Sequence, residues 1–358
     1  MKTKLYVLYG GKSVEHEVSL KTAYTVMLSI DESKYDLFPI YITREGIWST
    51  PGKLSRSELE LSDLIAAPRH AEAAESIGQA LISQFALPGR KVVLPLLHGS
   101  NGEDGTIQGM MELLNIPYVG NGVLSSAVTL DKAISKQLLA QAGINQAEYL
   151  AYRYDQWAED RAFILEEAEM KLGYPCYVKP ASLGSSIGIS RCSDKQQLTA
   201  GIAEAFKYDS KLVLESEVLG REIQVAVMGN VKPLASLPGE FIHNHLFFDF
   251  ESKYMDKHLT MSIPAQLSEE LTGRIRKIAI QAYQVHGCSG LARVDCFLDK
   301  EGHLYVNEIN ALPGFTNYSM YPVMWERTDG TLYSELIEKL IDYAFTRHAE
   351  KQTIYYTR

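Results

Sequence analysis

The segment Leu291-Ala292-Arg293-Val294-Asp295-Cys296-Phe297-Leu298 decides the fold, together with residues 303–310 that follow the turn 299–302. Apolar and polar residues alternate on both sides of the turn, and this period of two predicts a β-hairpin over residues 291–309. Side chains two positions apart on a strand share a face, so Arg293 points with Asp295, and Glu308 points with Asn310.

The register of this hairpin follows from its connection. A symmetric, even-numbered loop would pair Leu298 with His303. Arg293 would then lie directly opposite Glu308, ~5 Å away, with Asp295 diagonally across. Two carboxylates, an amide oxygen and a guanidinium would meet on one face, a set suited to Mg²⁺ bound to nucleotide phosphates. The alternative interpretation is a solvated face with an Arg–Glu ion pair.

A second feature is the small-residue loop Ala181 to Gly188, which follows the predicted strand residues Val178-Lys179-Pro180. Its bare backbone amides and three serine hydroxyls would let it fold over phosphates. Lys179, and Lys132 from a predicted helix over 124–142, offer point charges to phosphate oxygens. A mobile surface turn with solvent-facing lysines is the alternative interpretation.

The N-terminal part has the pattern of a parallel sheet. A buried strand, residues 5–9, stops at Gly10-Gly11 and precedes a helix over 17–28. Strands at 37–42 and 91–97 enclose a polar helical stretch at 58–84. From residue 147 onward the pattern is that of α+β units. We predict an α/β and α+β fold with three domains, over residues 1–125, 126–217 and 218–358.

Bulk composition limits the function classes. The 358 residues are 46% hydrophobic, enough for more than one core. Lys and Arg number 35 against 44 Asp and Glu, which makes nucleic acid a poor partner. Four sparse cysteines, without a CxxC pair, indicate reduced thiols in the cytoplasm. No apolar stretch approaches the ~18 residues of a membrane span, so no membrane association is expected.

Two familiar nucleotide motifs are excluded. Gly11-Lys12-Ser13 resembles the end of a P-loop, but Tyr6 stands where that pattern needs a glycine. No G-x-G-x-x-G follows a strand, so the dinucleotide fingerprint is absent as well.

Together these features resemble the ATP-grasp superfamily, which implies a three-domain ATP-grasp architecture with an N-terminal Rossmann-like parallel sheet. Five segments, in order, are similar to D-alanine–D-alanine ligases: 10–19 (GGKSVEHEVS), 98–105 with its His-Gly and GEDG motifs, 179–188 (KPASLGSSIG), 290–295 (GLARVD) and 307–316 (NEINALPGFT). The resemblance implies that two D-alanines are ligated through an acyl phosphate, for peptidoglycan precursors, by a cytoplasmic homodimer.

The resemblance also implies residue roles. It assigns two Mg²⁺ (or Mn²⁺) ions to Asp295, Glu308 and Asn310. It assigns ATP to the cofactor-binding set Lys132, Lys179, Ser186, Glu215, Val218 and Glu222. It assigns the tetrahedral oxyanion to Arg293 and the Gly314 backbone N–H. The first D-alanine would meet Glu15 and His98, with Ser185 and Tyr254 as an orienting network. The second would meet Lys253, Ser319 and Met320.

One region departs from the family pattern. In the lid-like loop 247–254, Phe248 and Phe250 stand where tyrosines are frequent in the family, and Ser216 stands where some members carry lysine. His243 and His245 keep a D-alanine–D-lactate ligase open as an alternative, although Lys253-Tyr254 favours the dipeptide. Further alternatives are a D-alanine–D-serine ligase, another ATP-grasp carboxylate-amine ligase, and an ATP-binding scaffold without chemistry.

Overall fold

The computed structural model describes residues 2–56, 59–242 and 260–355. Its strands are β1 (Thr3–Gly10), β2 (Tyr35–Ile42), β3 (Trp48–Ser49), β4 (Lys91–Pro95), β5 (Tyr149–Arg153), β6 (Cys176–Pro180), β7 (Ser190–Cys192), β8 (Lys211–Ser216), β9 (Gly220–Gly229), β10 (Leu234–Ala235), β11 (Glu240–Ile242), β12 (Thr260–Ser262), β13 (Gly290–Asp299) and β14 (Leu304–Asn310). Its α-helices are α1 (His16–Ser29), α2 (Ala73–Ala80), α3 (Thr106–Leu113), α4 (Val123–Leu130), α5 (Lys132–Gln141), α6 (Tyr154–Glu159), α7 (Arg161–Lys171), α8 (Lys195–Ala205), α9 (Glu269–Val285), α10 (Met320–Asp329) and α11 (Tyr333–Lys351).

The first sheet has the order β3-β2-β1-β4, and β1 runs parallel to both β2 and β4. Residues 5–9 are fully buried, as expected for a strand covered on both faces. The strand ends at Gly10, whose φ is 89°, and a Cβ there would lie 2.2 Å from the Ile42 carbonyl oxygen. Glycine is therefore required where β1 turns toward α1.

Two antiparallel sheets follow. The second sheet has the order β5-β8-β6-β7, and the third has the order β10-β9-β13-β14. A core that includes residues of α7 and α8 lies against the second sheet, and α9 packs on the third. The predicted α/β and α+β fold, with one parallel sheet and further antiparallel sheets, is confirmed.

The N-terminal sheet and the third sheet share one hydrophobic core, which contains residues of β1, β9 and α11. Asn121 ties the two together, because its Nδ2 donates to the carbonyls of Leu291 (2.7 Å) and Ala311 (2.9 Å). The β13–β14 hairpin is thereby fixed against the N-terminal part of the chain.

Two predicted helices are wrong in extent. The stretch 58–84 is a 3₁₀ turn (Leu61–Leu64), α2 and a π-helical turn (Leu81–Phe85), with residues 57 and 58 outside the described part. The helix 124–142 is broken at Asp131, whose extended backbone caps α5 by accepting from Ile134 N. Aspartate competes for local backbone donors, and this favours a helix start over a helix interior.

Within residues 2–56, 59–242 and 260–355, no helix combines the length and the apolar character that a membrane crossing requires.

Candidate active site

The small-residue loop connects β6 to β7 and takes up a specific backbone shape. Ser185 and Ser186 have φ values of 54° and 58°, which non-glycine residues rarely adopt. Lys132 holds the base of the loop, since its Nζ donates to the Leu183 carbonyl (2.6 Å) and its backbone N–H donates to the Ala181 carbonyl (2.8 Å). Strained backbone of this kind is typical of ligand-binding loops.

Glu215 on β8 lies between two lysines. Its Oε2 is 2.8 Å from Lys179 Nζ on the neighbouring strand β6, and its Oε1 is 3.4 Å from Lys136 Nζ on α5. Burial alone raises the pKa of the Glu215 carboxyl, but Lys136 and then Lys179 outweigh it and hold the pKa below its ordinary value. The group is thus an ionised acceptor in a buried wall.

Lys179 also reaches the third sheet, because its Nζ lies 3.4 Å from Asn307 Oδ1 on β14. Asn307 directly precedes Glu308, one of the predicted metal ligands. The lysine-bearing second sheet and the acidic hairpin of the third sheet therefore face each other at one junction.

The predicted hairpin register is wrong. Arg293 lies opposite Asn310, and Asp295 lies opposite Glu308. The connection has five residues, so that Leu298 pairs with Leu304, and the register shifts once more between Asp295 and Cys296. Each single-residue shift would turn the side chains of one strand to the opposite face. The two shifts together cancel this effect, so the four polar side chains still share one face.

The ion pair of this face also differs from the one expected. Arg293 binds Asp295 in a bidentate manner, with Nε–Oδ1 at 2.7 Å and Nη2–Oδ2 at 2.6 Å. Asp295 is 1% exposed, so the solvated-face interpretation is wrong as well. A planar guanidinium that grips a carboxylate with two donors fixes both groups in orientation.

The donor chemistry at this corner fits a divalent cation. Burial raises the pKa of Asp295 to about 6, Arg293 opposes this rise, and Glu308 and Glu222 add to it. Three carboxylates thus share one guanidinium, an excess of negative charge that a divalent cation would neutralise. Asn310 donates its amide Nδ2 to Asp295 at 3.1 Å, and rotation of the amide by 180° would present the oxygen instead.

Of the residues expected to meet the first amino acid, Glu15 contacts the small-residue loop directly. Ser185 Oγ donates to Glu15 Oε1 at 2.5 Å, across 170 positions of sequence. Glu15 is the residue before α1 and is 8% exposed. His98 is 4% exposed, and its Nδ1 lies 3.8 Å from Glu103 Oε1. Close packing requires glycine beside them, because a Cβ on Gly99 would lie 2.6 Å from Ser13 Oγ.

Gly314 and Ser319 lie together after β14. A Cβ on Gly314 would lie 3.4 Å from Ser319 Oγ, and this hydroxyl also accepts from the Thr316 backbone N–H at 3.0 Å. Ser319 precedes α10, a helix that the sequence pattern did not predict. Met320 is 4% exposed and belongs to the core shared by the first and third sheets.

The remaining predicted nucleotide residues border the same junction. Val218 lies half-buried just after β8. Glu222 on β9 pairs with Phe297 and lies on the face of Asp295. Ser186 follows Ser185 in the loop. Lys253 and Tyr254, the lid-like loop and both His243 and His245 lie outside the described residues.

Three residues that contact predicted site residues were not themselves predicted. Lys136, Glu103 and Asn307 contact Glu215, His98 and Lys179 respectively. Helical spacing carried one available signal, because Lys136 comes four residues after Lys132 and shares its face.

A strained loop on one antiparallel sheet, flanked by Lys179 of that sheet and Lys132 of α5 and facing an acidic hairpin on another sheet, is the arrangement of an ATP-grasp fold. Two family models match the chain: D-ala D-ala ligase N-terminus over residues 4–121 and D-ala D-ala ligase C-terminus over residues 138–342. The chain belongs to the D-alanine–D-alanine ligase family.

Individual relatives agree with this assignment. The chain is 49% identical to the D-alanine--D-alanine ligase of Geobacillus kaustophilus (strain HTA426), over 100% of this chain and 98% of that protein. The solved D-alanine-D-alanine ligase from Coxiella burnetii has a TM-score of 0.80 and 34% identity, covering 98% of this chain and 96% of that one.

Two other similar solved structures are a ligase with a different second substrate and a ligase complexed with ATP. The VanG D-Ala:D-Ser ligase from Enterococcus faecalis also has a TM-score of 0.80, with 33% identity over 96% of this chain and 100% of that chain. The D-alanine--D-alanine ligase from Bacillus anthracis complexed with ATP has a TM-score of 0.75, with 29% identity over 98% of this chain and 99% of that chain.

Proposed function

We propose that this chain ligates two D-alanines to D-alanyl-D-alanine, with conversion of ATP to ADP and phosphate, for peptidoglycan precursor synthesis. One observation carries the proposal: Ser185 Oγ donates to Glu15 Oε1 at 2.5 Å. A buried carboxylate suited to an amino acid's ammonium group thus touches the loop suited to phosphates. A ligase needs this adjacency, because the amino acid's carboxylate must reach the γ-phosphate.

The chemistry follows from the weakness of a carboxylate as an electrophile. The first D-alanine's carboxylate attacks the γ-phosphorus, the bond to the β,γ-bridging oxygen breaks, and ADP leaves an acyl phosphate behind. The second D-alanine's neutral amine then attacks the acyl carbon, phosphate leaves, and the new amide nitrogen loses its extra proton. Lys132 and Lys179 neutralise charge on the phosphates. Arg293 and the Gly314 backbone N–H stabilise the tetrahedral oxyanion.

The proposed metal site consists of Asp295, Glu308 and Asn310. Two Mg²⁺ or Mn²⁺ ions held there would neutralise charge on the transferring phosphoryl group. The bidentate contact with Arg293 keeps the Asp295 carboxylate in a fixed orientation within this set.

The proposed nucleotide site lies between the second and third sheets. Glu215 offers an ionised acceptor from one wall, Glu222 stands on the other, and Val218 supplies apolar contact beside them. Ser186 joins Lys132 and Lys179 on the phosphate side. The Lys179–Asn307 contact supports this placement, since it joins the phosphate side to the metal side.

Substrate roles are assigned from the family resemblance, and the Ser185–Glu15 contact supports them for the first D-alanine. We assign Glu15 to the ammonium and His98 to the carboxylate region of the first D-alanine, with Ser185 and Tyr254 orienting them. We assign Ser319, Met320 and Lys253 to the second D-alanine; Lys253 and Tyr254 rest on the resemblance alone. A D-Ala:D-Ser ligase is equally similar in fold, so the second substrate has to be determined by product analysis.

The domain boundaries, the homodimer and the cytoplasmic location of the chain are also proposals. Within the described residues, the strands of each sheet all lie inside one of the three proposed domains, and this supports boundaries at 125 and 217. Cys176, Cys192, Cys288 and Cys296 are buried free thiols, which supports the cytoplasm. One chain has a mass of 40.0 kDa, so sedimentation velocity tests the homodimer: a single species of that mass would contradict it.

The function is tested by phosphate release from ATP and Mg²⁺ with D-alanine alone, beside D-alanine with D-serine or D-lactate, and by the mass of each product. D-alanine alone is expected to sustain turnover and give the dipeptide. Turnover only with D-serine or D-lactate would replace the proposed product, and no turnover with any acceptor would overturn the ligase function.

A further inference from the structure

Lys136 is a buried cation that the proposed reaction does not use. It is 2% exposed, less than Lys132 (8%) and Lys179 (9%). Its Nζ lies 3.4 Å from Glu215 Oε1 and 5.4 Å from the centre of the Tyr149 ring. Within the described part of the chain this ammonium group makes no hydrogen bond. Such a group costs free energy in the fold, so its presence calls for a reason beyond packing.

The two lysines that flank Glu215 differ in their access to a ligand. Lys179 lies at the junction of the sheets and already contacts Asn307 on the hairpin. A phosphate at this junction would compete with Glu215 for the protons of Lys179. Lys136, on α5, contacts the other oxygen of the same carboxylate, Glu215 Oε1 at 3.4 Å, and at 2% exposure it is closed to a phosphate.

We propose that Lys136 is a positioning residue of the nucleotide site: through its 3.4 Å contact with Glu215 Oε1 it holds this carboxylate in place as an acceptor for nucleotide N–H or O–H donors while Lys179 turns to the phosphates. The inference rests on the proposed function, through the placement of the nucleotide between the second and third sheets.

The charges around Glu215 support this role. From α5 it faces Lys136 and Lys132, from β6 it faces Lys179, and Tyr149 on β5 borders the same space. The carboxylate of Glu308 on β14 also acts electrostatically on Lys136. Because Lys136 is the strongest of the influences that lower the pKa of Glu215, its loss would let the carboxyl take up a proton at higher pH.

The melting temperature separates the proposed role from a purely structural one. If Lys136 were needed only for the fold, its loss would lower the melting temperature. Replacing one member of a buried ion pair with an apolar residue is costly when the partner is left unpaired, but Glu215 keeps Lys179 at 2.8 Å. Methionine has a similar volume and needs no hydrogen bond. Lys136→Met should therefore retain or raise the melting temperature while nucleotide binding weakens.

The test is calorimetric binding of Mg²⁺·ADP, without D-alanine, to the full chain at about pH 6 and about pH 8. Lys136→Met is expected to bind about tenfold more weakly at the higher pH, the scale of one charge-assisted hydrogen bond, and to lose more at the lower pH. Lys136→Arg should restore most of the affinity. Lys171→Met is the matched control, because Lys171 pairs with Glu167 at 2.6 Å on the surface.

Two outcomes would overturn the inference. One is wild-type affinity in Lys136→Met at both pH values. The other is an equal loss at both pH values with a lower melting temperature and no recovery in Lys136→Arg, which would mark Lys136 as structural. ADP binding does not require ligation, so a wild-type chain that binds ADP but joins no D-alanine would refute the proposed function alone.

Discussion

Ser185 and Glu15 are 170 positions apart in sequence, yet the serine hydroxyl donates to the glutamate carboxylate at 2.5 Å. The serine lies in the loop between β6 and β7, in left-handed backbone with φ at 54°, and the glutamate precedes α1. The contact connects the N-terminal part of the chain to the small-residue loop 181–188. In the proposed reaction this contact would align the amino acid with the nucleotide.

Ser185→Ala is predicted to lower kcat/KM for D-alanine by ten- to about a hundredfold, because one hydrogen bond to a charged group contributes about 1.5–3 kcal/mol. Initial rates of ADP formation provide the measurement. Ser62→Ala is the control, since this exposed hydroxyl contacts Glu60 at 3.4 Å on the surface. Equal rates in wild type and Ser185→Ala would refute the alignment role.

The first-substrate site should respond to pH through His98. Burial alone lowers the pKa of this imidazole, but Glu103 and Glu15 outweigh it and hold the pKa above its ordinary value. A raised histidine pKa keeps the positive charge at low pH and loses it as pH rises through the raised value. KM for the first D-alanine is therefore predicted to rise with pH across that window.

Two variants isolate this effect in KM–pH profiles. His98→Gln should flatten the rise, and Glu103→Gln should shift it to lower pH because the largest stabilising contact of the imidazolium is removed. An unchanged profile in His98→Gln would assign the titration to another group or to the substrate amine.

Arg347 is predicted to stabilise the junction of the N-terminal part with the third sheet. Its guanidinium donates to the Tyr118 carbonyl (2.9 Å), to Ser289 Oγ (2.7 Å) and to the Gly120 carbonyl. Arg347→Met leaves buried acceptors unsatisfied at about 1–3 kcal/mol each, so the melting temperature should fall by roughly 5 °C or more. Arg44→Met, which removes an exposed pair with Glu17, should leave it nearly unchanged. A similar small shift in both variants would contradict the assignment.

Two glycines in the segment that follows His98 should respond in opposite ways to substitution by alanine. A Cβ on Gly102 would lie 1.8 Å from the Leu97 carbonyl oxygen, whereas nothing lies within 4 Å of one on Gly109 in α3. Gly102→Ala should reduce soluble yield and thermal stability. Gly109→Ala should raise stability by up to about 1 kcal/mol, because alanine is the better helix former. Thermal unfolding of both variants checks the pair, and a tolerated Gly102→Ala would show that the 98–105 loop can shift.

Sequence patterns predicted what depends on local spacing. The apolar runs of β1 and β2 identified buried strands, and alternation placed Arg293, Asp295, Glu308 and Asn310 on one face. The register was wrong for two reasons: the connection is not even-numbered, and the extra residue between Val306 and Glu308 was overlooked, although the adjacent polar residues Asn307 and Glu308 interrupt the alternation there. The interruption at Asp131 was missed because apolar spacing continues from α4 into α5.

Contacts between residues far apart in the sequence could not be predicted from the local spacing of apolar and polar residues. From the sequence, Lys136 has the pattern of an ordinary helical lysine. It is buried beside Glu215 because α5 packs against β8. The helix α10 contains Pro322 and follows an irregular segment, so its sequence lacks the helical spacing of apolar residues that would predict it. The lid-like loop, with Lys253 and Tyr254, stays a prediction.

The acyl phosphate is tested most directly by following carboxylate oxygen. D-alanine labelled with ¹⁸O in its carboxylate is incubated with the chain, ATP and Mg²⁺, and the phosphate and nucleotide products are analysed by mass. With both carboxylate oxygens labelled, one ¹⁸O atom is predicted in each released phosphate, three in each D-alanyl-D-alanine and none in ADP. Label in AMP, or unlabelled phosphate beside the dipeptide, would contradict attack of the carboxylate on the γ-phosphate.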